Sequence, residues 1–240
     1  MRVTDDGPRG WSRPLHAAVL DATGVVRGTT VLDLGCGTGL FARAAADRGA
    51  LVTGIDVDPD AVRLAADEVP EGSFSVGTAE RPPPGPFDVA AAVQLLLHVH
   101  DPVAVLAAAG RAGQVVAATV WGREAECDVR VFGEALAPWL DPRPDAGPGV
   151  TDPDRLCPAA RVAGLTVDRL EEVVCSFDYA DDDELLGPLF ASGLARAVAR
   201  RAGPVAVRDA VLERLAPFRT AAGGYRLQNM FRVLIARPAV

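Results

Sequence analysis

The sequence predicts an α/β fold built on a mostly parallel sheet, and three features carry that prediction. From residue 30 onward, short β-type runs alternate with helix-patterned stretches. The first such run, Val31-Leu32-Asp33-Leu34, leads straight into Gly35-Cys36-Gly37-Thr38-Gly39, a turn with three glycines. The second run, Leu51 to Asp56, closes on an acid. Strands joined through helices need right-handed crossovers, and such sheets take their ligands at the carboxyl ends of the strands.

The elements follow in order. Leu15, Ala18, Val19 and Ala22 recur at helical spacing over Pro14–Ala22, so a short amphipathic helix precedes the first strand, residues 30–35. Trp11 and His16 are assigned to packing rather than to covering a cleft. A helix from Gly39 to about Arg48 leads to the strand Leu51–Asp56. Asp58-Pro59 then supplies an N-cap and a first-turn proline for a helix ending near Val69, before Pro70. Strands at Ser73–Val76 and Phe87–Val93 flank a proline-rich loop. Asp101-Pro102 opens a helix through Ala109, and Gly113–Val120 is the fifth strand. Residues 122–150 read as an inserted helix plus loop, and Asp152-Pro153 starts another helix. Leu165–Phe177 is a strand. Residues 181–218 are helical in two pieces broken near Gly203-Pro204, and the strand Tyr225–Ala236 ends the pattern. The expectation is one domain over residues 1–240 with seven strands, carrying lids at 122–150 and 181–222.

Composition narrows the function. The net charge is −8 and no basic run occurs, which argues against a nucleic-acid partner. All 24 basic residues are arginine, which excludes a lysine nucleophile, a Schiff base and a phosphate-loop lysine. The 4 cysteines are dispersed with no C-x-x-C spacing, as expected of reduced thiols. No charged-then-apolar leader and no run of 18 apolar residues is found, so a cytoplasmic protein with no membrane partner is expected, as monomer or homodimer. Three histidines and scattered acids form no metal-ligand pattern, and no nucleophile elbow or triad spacing occurs.

Glycines after a strand let the backbone approach a ligand, and the following helix turns its free amides into the same gap. A dinucleotide fingerprint would need glycine at position 40, where the chain has Leu40. The turn, Asp56, Thr78 and Gln94 all fall just beyond predicted strands, on one rim.

With Asp33 inside the strand, Gly35-x-Gly37-x-Gly39 resembles the first motif of the class I S-adenosylmethionine-dependent methyltransferases, and further positions agree. The likeness is to bacterial ubiquinone/menaquinone-type and natural-product enzymes; it covers residues 30–120 well and the remainder more loosely. It implies a Rossmann-like class I methyltransferase sheet of seven mostly parallel strands with helical lid insertions, and S-adenosyl-L-methionine as cofactor, S-adenosyl-L-homocysteine as product. By the same likeness Gly35, Cys36, Gly37 and Gly39 meet the methionine part of the cofactor and Asp33 orients its amino group. Asp56 takes the ribose hydroxyls, with helix capping as the other reading of that acid. Val57 packs on adenine, while Thr78, Ala79 and Glu80 meet its edge. The family commonly has aspartate where this chain has Thr78, so Ala79 N–H carries more of that contact. Gln94 and Leu95 lie near the sulfonium.

His98 is the candidate general base, from its place after the fourth strand and because imidazole is the side chain best suited to exchanging protons at physiological pH; packing, or a bond to Asp101, is the alternative. A small-molecule acceptor is expected among Trp121, Phe132, Trp139, Phe190, Tyr225, Gln228 and Asn229, with oxygen, nitrogen and carbon all open as the methylated atom. Secondary metabolism is the expected setting. Two other readings stay open: a cyclase that keeps the fold and cofactor without methylating, and a non-catalytic binding module. A nicotinamide dehydrogenase is the weakest rival, given Leu40.

Overall fold

The computed structural model describes residues 8, 10–140 and 152–239. A single seven-stranded sheet runs through it. Its strands are β1 (Thr30–Leu34), β2 (Leu51–Asp56), β3 (Ser73–Val76), β4 (Phe87–Ala92), β5 (Gly113–Trp121), β6 (Leu165–Tyr179) and β7 (Tyr225–Pro238). Their spatial order is β3-β2-β1-β4-β5-β7-β6. The first five pair in parallel, and β7 runs antiparallel to both β5 and β6. Chain order runs outward in one direction from β1 to β3 and in the other from β4 to β5. The reversal point lies between β1 and β4, where crevices open at the strand ends of such sheets.

Helices cover both faces. α1 (Arg13–Ala22) and α2 (Leu40–Asp47) pack on one face, where Leu15, Val19, Phe41 and Ala45 bury against Val31, Val89 and Val233. α4 (Pro102–Ala112) and α6 (Pro153–Val162) cover the other, with Val105, Leu106 and Leu156 against Leu32, Ala90 and Leu234. α3 (Pro59–Glu68) begins at Asp58, whose side chain accepts from Asp60 N–H at 2.9 Å. Asp101 caps α4 in the same way, accepting from Ala104 N–H at 3.0 Å. Short acceptors before a proline-started helix satisfy amides that otherwise lack partners, and here they fix where each helix leaves the rim.

Some boundaries differ from the sequence reading. β4 stops at Ala92 because Gln94 takes a left-handed backbone (φ 55°) that no strand accommodates. α4 continues three residues past Ala109, as its alanine-rich sequence permits. The region 181–218 holds three helices rather than two: α7 (Asp182–Ala191), α8 (Gly193–Ala202) and α9 (Pro204–Leu215). The extra break falls at Ser192, whose extended backbone and hydroxyl, accepting from Ala195 N–H at 3.2 Å, start a new helix. Pro188 near the end of α7 had already removed one amide from its ladder. Within the 122–150 stretch lie a 3-10 turn at Glu124–Glu126, α5 (Arg130–Leu136) and a second 3-10 turn at Ala137–Trp139. The expected loop over 141–150 lies outside the described residues. Among the described residues no helix is long and apolar enough to cross a membrane.

Candidate functional site: a glycine turn facing two carboxylates

The turn after β1 is tied to β2 by its own backbone. Gly35 N–H and Cys36 N–H both donate to Ile55 C=O, at 2.8 and 2.9 Å. All three glycines have left-handed backbones, with φ of 70°, 52° and 89° for Gly35, Gly37 and Gly39. Their surroundings differ. A Cβ on Gly35 would sit 2.5 Å from the Leu95 side chain, and one on Gly39 would sit 2.9 Å from the Ala65 backbone in α3. A Cβ on Gly37 would meet nothing within 4 Å. Gly35 and Gly39 thus allow protein to pack on protein, whereas Gly37 fronts open space. Substituting Gly39 by alanine should therefore act on stability, costing about 3 kcal/mol from backbone strain plus the clash with α3, as read by urea unfolding.

Asp56 bridges this turn to the next helix. Its Oδ2 accepts from Gly37 N–H at 2.9 Å and its Oδ1 from Asp58 N–H at 3.0 Å, and the residue stays part-exposed. Each carboxylate oxygen keeps a further lone pair for a ligand. The ends of β2 and β3 are joined where Gly77 N–H donates to Asp56 C=O at 2.9 Å. Val57 beside it is 67% exposed, a large apolar side chain left in solvent at the rim. Thr78 is exposed, Ala79 is buried and Glu80 lies between.

Asp33 is the most unusual group here. It is 1% exposed, and its Oδ2 is buried with no hydrogen-bond partner. Burial, and then the Asp56 charge, push its pKa up to about 7. A buried carboxylate oxygen with no donor is costly, and a cationic ligand group would satisfy it. The same surroundings hold the buried Cys36 thiol well above the usual range, so it stays protonated.

The row continues across the sheet. Asp33 pairs with Ala91 in β4, and Ala91 with Ala117 in β5, so Thr119 and Trp121 project on the same face as Asp33, further along β5. Thr119 is fully buried, and its Oγ1 accepts from both Gln94 N–H (2.8 Å) and Gln94 Nε2 (3.0 Å). That pair of bonds to one hydroxyl holds the strained backbone of Gln94 at the end of β4. Leu95 follows, against Gly35. Thr119 escaped the sequence reading, although a hydroxyl in the otherwise apolar run Val115–Val120 was a signal.

His98 is exposed, in a turn where its N–H donates to Leu95 C=O at 2.8 Å; the Asp101 carboxylate takes Ala104 N–H instead. The residues expected to surround an acceptor separate into three groups. Trp121, Phe132, Trp139 and Phe190 are part-buried and pack on the α1-side core. Trp121 lies against Phe231 and Phe177 (ring centroids 4.5 and 5.8 Å), with Trp11 at 6.3 Å completing the cluster. Trp11 is itself buried, stacked on Phe231 at 5.1 Å, and His16 meets Phe41 edge-on at 5.6 Å. Tyr225 and Asn229 spend their polar groups inside the protein. Tyr225 O–H donates to Asp182 at 2.6 Å beneath Arg219, and Asn229 Oδ1 accepts from Val129 N–H at 3.1 Å. Gln228 is exposed. A pocket of about 360 Å³ opens beside Trp121, walled by Glu124, Cys127, Val129, Arg130 and Gly133. Apart from Trp121, none of these stood out in the sequence, because each is ordinary until the stretch folds back on β7.

The fold and site together define an open α/β sheet whose switch point presents a glycine turn, a part-exposed carboxylate bonded to that turn and a buried acid with one unpartnered oxygen. Residues 32–114 match the family model described as a methyltransferase domain. A ubiquinone biosynthesis O-methyltransferase of Pseudomonas paraeruginosa is 38% identical over 118 residues, 45% of this chain and 51% of that protein. The chain spans about half the length of the curated relatives it matches. Among solved structures, the 4+2 cyclase SpnF superposes with a TM-score of 0.59 at 24% identity, covering 94% of this chain and 81% of its own. Magnesium protoporphyrin IX methyltransferase from Synechocystis, solved with bound S-adenosylhomocysteine, gives a TM-score of 0.59 at 16% identity over 98% of this chain and 86% of its own.

Proposed function

We propose that the protein transfers a methyl group from S-adenosylmethionine to a small-molecule acceptor. The observation that carries this reading is the conjunction at one rim: the open position at Gly37, Asp56 bonded to the Gly37 amide, and the buried Asp33 Oδ2 with no donor. These groups suit the cofactor's chemistry. Asp56 accepts the two ribose hydroxyls through charge-assisted bonds. Asp33 takes the α-ammonium, Gly37 leaves backbone room for the methionine chain, and the exposed Val57 covers adenine. Thr78, Ala79 and Glu80 supply the edge beyond it, and Gln94 with Leu95 closes the β4 side. When bound, S-adenosylmethionine supplies a methyl on a sulfonium: the carbon–sulfur bond breaks, the acceptor gains the methyl, and sulfur keeps the electron pair in S-adenosylhomocysteine.

The protein's part is then alignment and exclusion of water. The aromatic cluster of Trp11, Trp121, Phe177 and Phe231 gives the acceptor side a rigid wall, and the helices of 122–140 and 181–218 serve as lids over one domain. His98, exposed in the turn after β4, takes the proton released when the acceptor is a hydroxyl or a protonated amine. The match to O-methyltransferases favours oxygen as the methylated atom. The test is transfer of labelled methyl from S-adenosylmethionine to a panel of phenols and amines. His98→Ala should lower kcat about 10²-fold while leaving S-adenosylhomocysteine affinity intact. Near-normal turnover at saturating acceptor would remove His98 from the reaction.

A further inference from the structure

The pocket beside Trp121 carries information about its occupant that the family likeness does not. Its inner wall is the Trp121 indole, fixed by Phe231 and Phe177. An apolar cavity of about 150 Å³ holds one benzene ring, so about 360 Å³ admits a substituted ring or two fused rings. At the α5 end the boundary is Gly133, where an added Cβ would meet nothing within 4 Å. Its backbone angle is not left-handed, so nothing in the helix requires glycine there. The missing side chain is room.

The charges are unequal. Arg130 is already neutralised: its Nε lies 3.3 Å from Glu134, and its Nη1 lies 3.6 Å from Asp128 and 3.3 Å from Cys127 C=O. Glu126, next to the pocket, is held by Arg232 at 2.7 Å and by the Arg123 amide. Glu124 has no ion-pair or hydrogen-bond partner for its carboxylate among the described residues and faces the pocket. The net field at the opening is therefore negative.

We propose that Gly133 and Glu124 set acceptor specificity, Gly133 by size and Glu124 by charge: the pocket takes one planar ring system, neutral or cationic, and rejects the same ring carrying a carboxylate. This rests on the methyltransferase reading for its chemistry, though not for its binding. The test is calorimetry of catechol, dopamine and 3,4-dihydroxybenzoate, one ring in three charge states, with and without S-adenosylhomocysteine. Dopamine should bind at least tenfold more tightly than the benzoate, and Glu124→Gln should remove most of that preference. Gly133→Leu should weaken dopamine and catechol at least tenfold, with Tm at or above wild type, since leucine suits a helix better than glycine, and with S-adenosylhomocysteine affinity within twofold. Benzoate binding as tightly as dopamine, no ring binding at all, or unaltered ring binding in Gly133→Leu would each overturn the proposal. Failure of S-adenosylhomocysteine to bind wild type would instead sink the methyltransferase reading, and the ring series without it would still decide this one.

Discussion

Replacing Asp56 with alanine should lower affinity for S-adenosylhomocysteine by about 10²- to 10³-fold, measured by calorimetry. Two charge-assisted bonds to a ribose diol are worth about 3 to 4 kcal/mol together, and tenfold in affinity is about 1.4 kcal/mol. The side chain also holds the Gly37 and Asp58 amides, at 2.9 and 3.0 Å, so its loss loosens the turn as well as the diol contact. Asp56→Asn separates the two effects. One acceptor oxygen remains, so affinity should fall between wild type and Asp56→Ala, with stability close to wild type.

The second large effect has opposite signs for stability and binding. Asp33→Asn should stabilise the ligand-free protein at pH 8 by about 1 to 2 kcal/mol, raising Tm by roughly 2 to 6 °C, while weakening S-adenosylhomocysteine binding by about tenfold or more through loss of a charge facing the ammonium. The native carboxyl, at about 7, lies above the value of 3.8 it has when unperturbed. Between those values the native state holds a proton that the unfolded chain has released, so stability falls as pH rises from about 4 to 7. Above 7 the full cost of a buried, unpartnered charge is present. The amide of the Asp33→Asn variant carries no such charge, so its Tm advantage should shrink steadily from pH 8 towards pH 5. His16 moves the other way: burial lowers it to about 4, so the native state loses stability as pH falls from 6.5 towards 4. His16 is present in both proteins and cancels in the comparison. Cofactor affinity of the wild type should in turn rise with pH through 7, because Asp33 must give up its proton to meet the ammonium. A binding constant flat across pH 6–8 would separate Asp33 from the ligand.

The same residue shows which features could be read from sequence. Asp33, the three glycines and Asp56 lie close together in the chain, and strand alternation with turn chemistry is enough to place them on one rim. β2 and β3 fall where the sequence put them, and the acids before Pro59 and Pro102 cap their helices. What was not legible depends on partners distant in the chain. Tyr225 reads as a pocket residue until its hydroxyl is seen on Asp182, 43 positions earlier. Asn229 is likewise drawn inward by Val129, 100 positions away. The break at Ser192 is hidden because apolar spacing continues on both sides of it. The size and charge of the Trp121 pocket arise only when residues 122–136 fold back on β7.

The central claim is that Gly37 and Asp56 grip one nucleoside ligand, and the most direct measurement is a titration of S-adenosylhomocysteine into wild type and Gly37→Ala. The account predicts micromolar binding by wild type and at least a 10²-fold loss in Gly37→Ala, since the methyl enters space that no protein atom occupies. It also predicts a loss of only about 1 to 2 kcal/mol of stability, from the left-handed backbone alone. Equal binding by the two proteins would contradict it.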